Sequence, residues 1–331
     1  MTFDWSVLDI DASAEVERIC GGLRDRAAKL LRRRGAVVAI SGGVDSGVCA
    51  ALAVRAFGPE RVLTLILPEH ESSAESEAHA RVLAAHLGIE PLEQNIGPTL
   101  EAIGCYRWRD EAVRRILPGY GTGWRMKIVV AGGIEGRINH FRLVAKSPDG
   151  TAHEARLGLR DYLQIVAATS YKQRIRKSIE YFHADRLNYA VIGTPNRLEF
   201  DQGFFVKNGD GSADIKPIAH LYKSQVYAIA KYLRLPAEVA LAEPTTDTYS
   251  LPQGQDEFYF VLPYRQMDLA LWALNHKIAT EALAEALGLS VKAAQHVYSD
   301  IKAKRRATQY LHVRPALLGL VPEGAGCDGQ L

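Results

Sequence analysis

Several features that would narrow a function quickly are missing from this sequence. Its four cysteines, Cys20, Cys49, Cys105 and Cys327, form no C-x-x-C pair and no Cys/His cluster, which argues against structural zinc or a disulfide framework. Charge of one sign is not in excess either: 40 Lys+Arg against 38 Asp+Glu leave a formal +2. Nothing global therefore points to a nucleic acid or a membrane surface as partner. No apolar run approaches roughly 18 residues, and the start, Met1 to Trp5, is acidic with no basic stretch before an apolar one. The expectation is a cytoplasmic protein that neither crosses a membrane nor is exported. Internal repeats and low-complexity tracts are absent as well.

What is present is ordinary globular composition, 331 residues of which 47% are hydrophobic and 24% charged. From Asp11 the apolar positions Val16, Ile19, Leu23, Ala27 and Leu30 recur at helical steps towards Gly35. The closing run Arg32-Arg33-Arg34 suits the negative end of a helix dipole, with phosphate binding as the alternative. Ala36 to Ile40 is too short for a helix and continuously apolar, as a buried parallel strand should be. A Gly-rich turn, a helix from Gly47 to Phe57 and a second apolar run from Val62 to Leu67 complete a β-loop-α-β unit. A helix over Ser73 to Leu87 and a strand near Ile89 to Ile96 continue the alternation expected of a doubly wound parallel sheet, an α/β fold.

Residues 104 to 168 break the order. They are irregular and contain a predicted β-hairpin, Phe141 to Ser147 and Thr151 to Leu157 around Pro148-Asp149-Gly150. The helical period returns over Ser170 to Leu187, followed by a strand over Tyr189 to Gly193. Further helices are predicted over Lys223 to Leu233, Tyr264 to His276 and Val291 to Arg306. The expected organisation is one domain from 1–103 and 168–306, an insertion over 104–167 acting as a lid or an interface, and a tail over 307–331.

The turn Ser41-Gly42-Gly43-Val44-Asp45-Ser46 sits between a buried strand and a helix. There, backbone N–H groups and the positive helix end can cradle a phosphate. Its spacing fits neither the P-loop nor G-x-G-x-x-G. It resembles the pyrophosphate loop of the N-type ATP pyrophosphatases, which split ATP between its α- and β-phosphates and share an adenine nucleotide alpha-hydrolase-like fold. Downstream, Arg174-Ile175-Arg176, Gly193 to Glu199, Gly203 to Asp214, Leu221 to Gln225 and Pro244 to Asp247 resemble the NAD synthetases, in the same order.

That resemblance implies an ATP-dependent ligase of the ammonia-dependent type, which adenylates a carboxylate, deamido-NAD, and converts it to the amide, giving NAD, AMP and pyrophosphate. ATP and Mg2+ are the implied cofactors. Asp45 and Glu199 match magnesium ligands. Ser41, Gly42, Gly43, Asp45, Ser46, Thr194, Lys223 and Thr245 match ATP contacts, with Asp45 and Lys223 the catalytic pair. Arg174, Lys207, Asp214 and Lys304 match contacts to the dinucleotide, and a homodimer is implied. Adenylation needs cations against the polyphosphate charge, which these residue types supply. The stripe Lys172, Arg174, Arg176, Lys177 can equally be a solvated helix face.

Three departures stand out: Ala303 where the family usually has His, the bulky Phe258-Tyr259-Phe260-Val261, and the insertion. They leave open an amide synthetase for a different carboxylate, in secondary metabolism or glycan modification, and a non-catalytic ATP-binding module. No fused glutaminase fits around the loop, so nitrogen comes from ammonia or a separate glutaminase. The insertion carries Arg107, Arg109, Arg114, Arg115, Arg125 and Lys127 among Tyr106, Trp108, Tyr120 and Trp124. Such a mixture can bind phosphate and stack on a planar ring.

Overall fold

The computed structural model describes residues 3–131, 140–242, 248–254 and 259–318. Helix α1 (Ala12–Asp25) starts where Asp11 accepts hydrogen bonds from the Ser13 and Ala14 backbone N–H groups. A wide turn over Arg26–Leu30 ends it, and Arg32 at φ 53° reverses the chain. The first β-α-β unit follows, with β1 (Ala36–Ala39), α2 (Val44–Phe57) and β2 (Val62–Ile66). Then come α3 (Ala74–His86), capped by Ser73, the short β3 (Leu92–Glu93), α4 (Gly97–Ala102) and α5 (Cys105–Ile116).

Three strands, β4 (Arg125–Ala131), β5 (His140–Lys146) and β6 (Ala152–Arg156), form a separate antiparallel sheet. The hairpin expected around Pro148-Asp149-Gly150 is β5–β6, its turn closed by Asp149 accepting from the Thr151 N–H at 3.0 Å. Strand β4 was not visible in the sequence. It pairs with β5 from Arg125↔Lys146 to Ala131↔His140.

Helix α6 (Leu159–Leu187) is far longer than the expected Ser170 start, because Leu159 and Leu163 on its first turns face solvent and blur the apolar period. After β7 (Ala190–Val191) come α7 (Arg197–Gln202), α8 (Lys223–Tyr232), α9 (Ala237–Ala240), α10 (Tyr264–Asn275), α11 (Thr280–Leu287) and α12 (Val291–His312). Helix α11 was missed in the sequence, and α12 runs past the expected Arg306 end.

The parallel sheet has the order β3-β2-β1-β7, and Ile192 bridges Ile215 in parallel beyond β7. The chain thus winds outwards from β1 to β3 and later crosses to β7 on the other side. The order reverses between β1 and β7, the switch point where α/β sheets bind ligands at the strands' carboxyl ends. Alternation along β1 puts Ala36 and Val38 into a core with α1, α2 and α8, and Val37 into a core with α4, α5 and α6. A third core gathers α10, α11 and α12 with Leu8 and Leu198. The fourth, with Met126, Ile128, Leu143 and Ala145, lies under the antiparallel sheet and includes Tyr249.

Candidate active site

A cavity of about 1510 Å3 opens at the switch point. Ser41, Gly42, Gly43, Asp45, Ser46, Thr194, Glu199 and Lys223 all line it. The parallel strands bring them together: the first five follow β1, and Thr194 and Glu199 follow β7. Gly42 takes φ 83°, and a Cβ there would collide with the Ser76 carbonyl, so the turn demands glycine. Ser46 Oγ donates to the Gly43 carbonyl at 3.0 Å and accepts from the Ser41 N–H at 3.2 Å, holding the loop in its turn. Gly43 begins α2 without a side-chain cap, which leaves the first helical N–H groups to an anion.

Asp45 sits in the first turn of α2 and forms an ion pair with Lys223, the first residue of α8. Asn196 Nδ2 donates to the other Asp45 oxygen at 3.2 Å. Asn196 is itself 1% exposed and forms a capping box with Glu199, whose carboxylate accepts the Asn196 N–H at 3.1 Å. Asp45 and Glu199 are thereby joined through Asn196. Burial alone would depress the ammonium of Lys223, which is 3% exposed. The carboxylates Asp45 and Glu199 outweigh that and hold it above the usual lysine range.

Among the described residues no group of three or more His, Cys, Asp or Glu is placed to hold a metal. Asp45 within the Ser41–Ser46 turn and Glu199 beside it on the same cavity have the chemistry that suits magnesium, which takes one or two acids with phosphates and water completing its shell.

Of the other expected positions, Thr245 and its neighbours from Pro244 to Asp247 lie outside the described residues, as does Cys327. Arg174, Lys207, Asp214 and Lys304 do not line the cavity. Arg174 Nε donates to the Lys207 carbonyl at 3.3 Å, and Lys207 Nζ donates to Tyr310 O at 2.7 Å at the end of α12. Asp214 accepts from the Val191 N–H at 2.8 Å and from Tyr181 Oη at 3.3 Å. Lys304 pairs with Asp300 and lies 4.9 Å from the Tyr259 ring, with burial lowering its pKa. Tyr259 is a cavity residue, so Lys304 stands one side chain behind the wall.

Two groups escaped the sequence reading. Asp268 on α10, wholly buried, accepts the backbone N–H groups of Lys223 at 3.1 Å and Ser224 at 2.7 Å. It caps α8 from another helix and fixes the backbone that carries Lys223. Burial pushes its carboxyl up to about 7, against the pull of those N–H groups. A lone Asp inside an apolar helix stretch was the only available signal.

The second group is a buried charge network. Lys172 Nζ lies 2.9 Å from Glu69 and 2.5 Å from Glu71, and it donates to Thr248 O at 3.0 Å. Arg109 pairs with Glu71, and Tyr106 Oη donates to Glu69 at 2.7 Å. The solvated-face reading of the α6 stripe holds for Arg174, which is exposed, and fails for Lys172 and Lys177, which are buried, the latter against Glu180. Nor is there a thiol nucleophile among the described cysteines: Cys20, Cys49 and Cys105 are free and buried, and burial raises all three thiols, Cys105 to about 11.

The sequence model of the NAD synthase family matches residues 15–117 and 146–309. The chain belongs to the NAD synthase family. The NH(3)-dependent NAD(+) synthetase of Mesorhizobium japonicum is 54% identical over 312 residues, covering 94% of this chain and 98% of its own. That of Rhizobium meliloti is 52% identical over 324 residues, covering 98% and 97%. Among solved structures, the NH3-dependent NAD synthetase from Campylobacter jejuni superposes with a TM-score of 0.61 at 22% identity, covering 94% of this chain and all of its own. The NMN synthetase from Francisella tularensis gives 0.60 at 23%, covering 96% of this chain and all of its own. At that identity these two structures establish the NAD synthase fold alone.

Proposed function

We propose that this chain makes NAD from deamido-NAD and ammonia at the expense of ATP, through an acyl-adenylate. It is an ATP-dependent carbon–nitrogen ligase. One observation carries the reading: a glycine-rich turn at a helix start, a buried lysine and two carboxylates meet at the sheet's switch point. The carboxylate oxygen of deamido-NAD attacks the α-phosphorus of ATP, the bond from that phosphorus to the α,β-bridging oxygen breaks, and pyrophosphate leaves. Ammonia nitrogen then attacks the acyl carbon, the carbon–oxygen bond to AMP breaks, and the surplus proton passes to solvent.

The residues divide this work. Backbone N–H groups from Ser41 to Ser46, with the hydroxyls of the loop and Thr194, hold the phosphates. Lys223, kept charged by Asp45, stabilises the pyrophosphate as it departs. Asp45 and Glu199 would hold magnesium, which would supply Lewis acidity to the leaving pyrophosphate. Thr245 contributes a further hydroxyl to ATP, and Arg174, Lys207, Asp214 and Lys304 serve the dinucleotide. A homodimer is carried over from the family resemblance, and the exposed pair Leu159 and Leu163, one turn apart on α6, is a candidate contact for it. No helix among the described residues is long and apolar enough to cross a membrane, and we place the reaction in the cytoplasm.

The test is a mixture of protein, ATP, magnesium, ammonium and deamido-NAD, with NAD, AMP and pyrophosphate followed together. All three should appear in equal amounts. AMP that forms without any carboxylate, or only with an acid other than deamido-NAD, would contradict the reading.

A further inference from the structure

Six carboxylates, Asp45, Glu71, Glu75, Glu199, Asp210 and Glu238, stand among the described lining residues of the cavity, against three Lys or Arg side chains. Two of those cations are already matched, Lys223 by Asp45 and Lys172 by Glu69 and Glu71. Arg125 is the third, and no described carboxylate pairs with it. The substrates proposed above are polyanions, and besides the magnesium that Asp45 and Glu199 would hold, an unmatched cation is the group suited to receive them.

Arg125 opens β4, within the stretch 118–145 that falls between the two segments matched by the family. Its backbone is anchored to the far wall of the cavity. Met126 N–H donates to Ser250 Oγ at 2.9 Å, Leu251 N–H to Met126 O at 3.1 Å, and Gln253 Nε2 to Ile128 O at 2.5 Å. Tyr249, from the same wall, is buried in the core beneath the antiparallel sheet. The guanidinium is oriented too, since Nε donates to Ser250 O at 2.8 Å. Its two Nη groups have no described partner and form the fork that suits a phosphate.

We propose that Arg125 is a substrate-binding residue contributed by the inserted sheet, recognising a phosphate group at the mouth of the cavity. This rests on the proposed function for the identity of the ligands, either the ATP polyphosphate or the diphosphate of the dinucleotide. Calorimetric titration of ATP and of deamido-NAD, each alone, separates the two sources and needs no turnover. Arg125→Ala should weaken one of the ligands by about 10- to 100-fold, the scale of a lost charge-assisted bond. Arg125→Lys should recover part of that loss, and Arg142→Ala, paired with Glu154 on the same sheet, should bind both ligands as the wild type does. Affinities for both ligands within about twofold of wild type in Arg125→Ala overturn the assignment. So does an equal loss of both with a fall in melting temperature that lysine does not restore, which would leave Arg125 only holding the sheet. If the wild type binds both ligands but makes no NAD, the proposed function fails while the Arg125 result stands.

Discussion

The nucleotide side of the site and the positions assigned to the dinucleotide were inferred in the same way, yet the structure treats them differently. Ser41, Asp45, Thr194, Glu199 and Lys223 converge on one cavity, because four of them follow adjacent parallel strands and the fifth begins a helix packed beside α2. Arg174, Lys207, Asp214 and Lys304 lie outside it, each already bonded to backbone or to a neighbouring side chain. Parallel topology guarantees that residues ending neighbouring strands meet. It guarantees nothing for residues scattered over a long helix, a loop and the last helix.

The largest effect expected is on the nucleotide side. Asp45→Asn and Glu199→Gln should each cut AMP formation by about two orders of magnitude or more at saturating magnesium, with circular dichroism unchanged. Near-normal turnover in either variant would dissolve the convergence on which the comparison rests. Asp268→Ala should come next. Freeing the Lys223 and Ser224 N–H groups should cost about 1–3 kcal/mol of stability and raise the Michaelis constant for ATP by a larger factor than that for deamido-NAD. Asp268→Asn, which keeps one acceptor oxygen but sets an NH2 against the other N–H, should restore only part of the ATP constant. An equal effect on both constants would reduce Asp268 to a packing role.

On the other side, Lys207→Ala should leave the constant for ATP unchanged and raise that for the dinucleotide. Losing its bonds to the end of α12 should lower stability by about 0.5–1.5 kcal/mol. A change confined to ATP would erase the distinction between the two regions. The smallest effect lies away from both. Arg18 bonds Glu15 and, with His220 and against some burial, holds its carboxyl down at about 2. The folded value is depressed, so the contribution is present above the unfolded value of 4.5 and is lost as pH falls towards 2. Glu15→Gln should lower the melting temperature slightly at pH 7, below about 1 kcal/mol for a pair whose arginine is exposed, and not at pH 2. Activity should be untouched at pH 7.

These contrasts also explain what the sequence could reveal. The Gly-rich turn was legible because it is local: a short apolar strand, Gly42 in a left-handed conformation and a helix start occupy a few consecutive residues. The pairing of Lys223 with Asp45 spans 178 positions and became visible only through a resemblance. Asp268 was invisible, since its role depends on α10 packing against the start of α8. Lys172 read as part of a solvated helix face, and Glu69 and Glu71 carried no signal, because only burial turns the three into a network. The hairpin β5–β6 announced itself through its turn residues, whereas β4 was not legible in the sequence.

Adenylation of the carboxylate is the central claim, and oxygen labelling tests it most directly. Deamido-NAD carrying 18O in its pyridine carboxylate should be converted with ATP and ammonia in the presence of this protein. The account predicts one labelled oxygen in AMP and none in pyrophosphate. Unlabelled AMP, or label in the pyrophosphate, would contradict it.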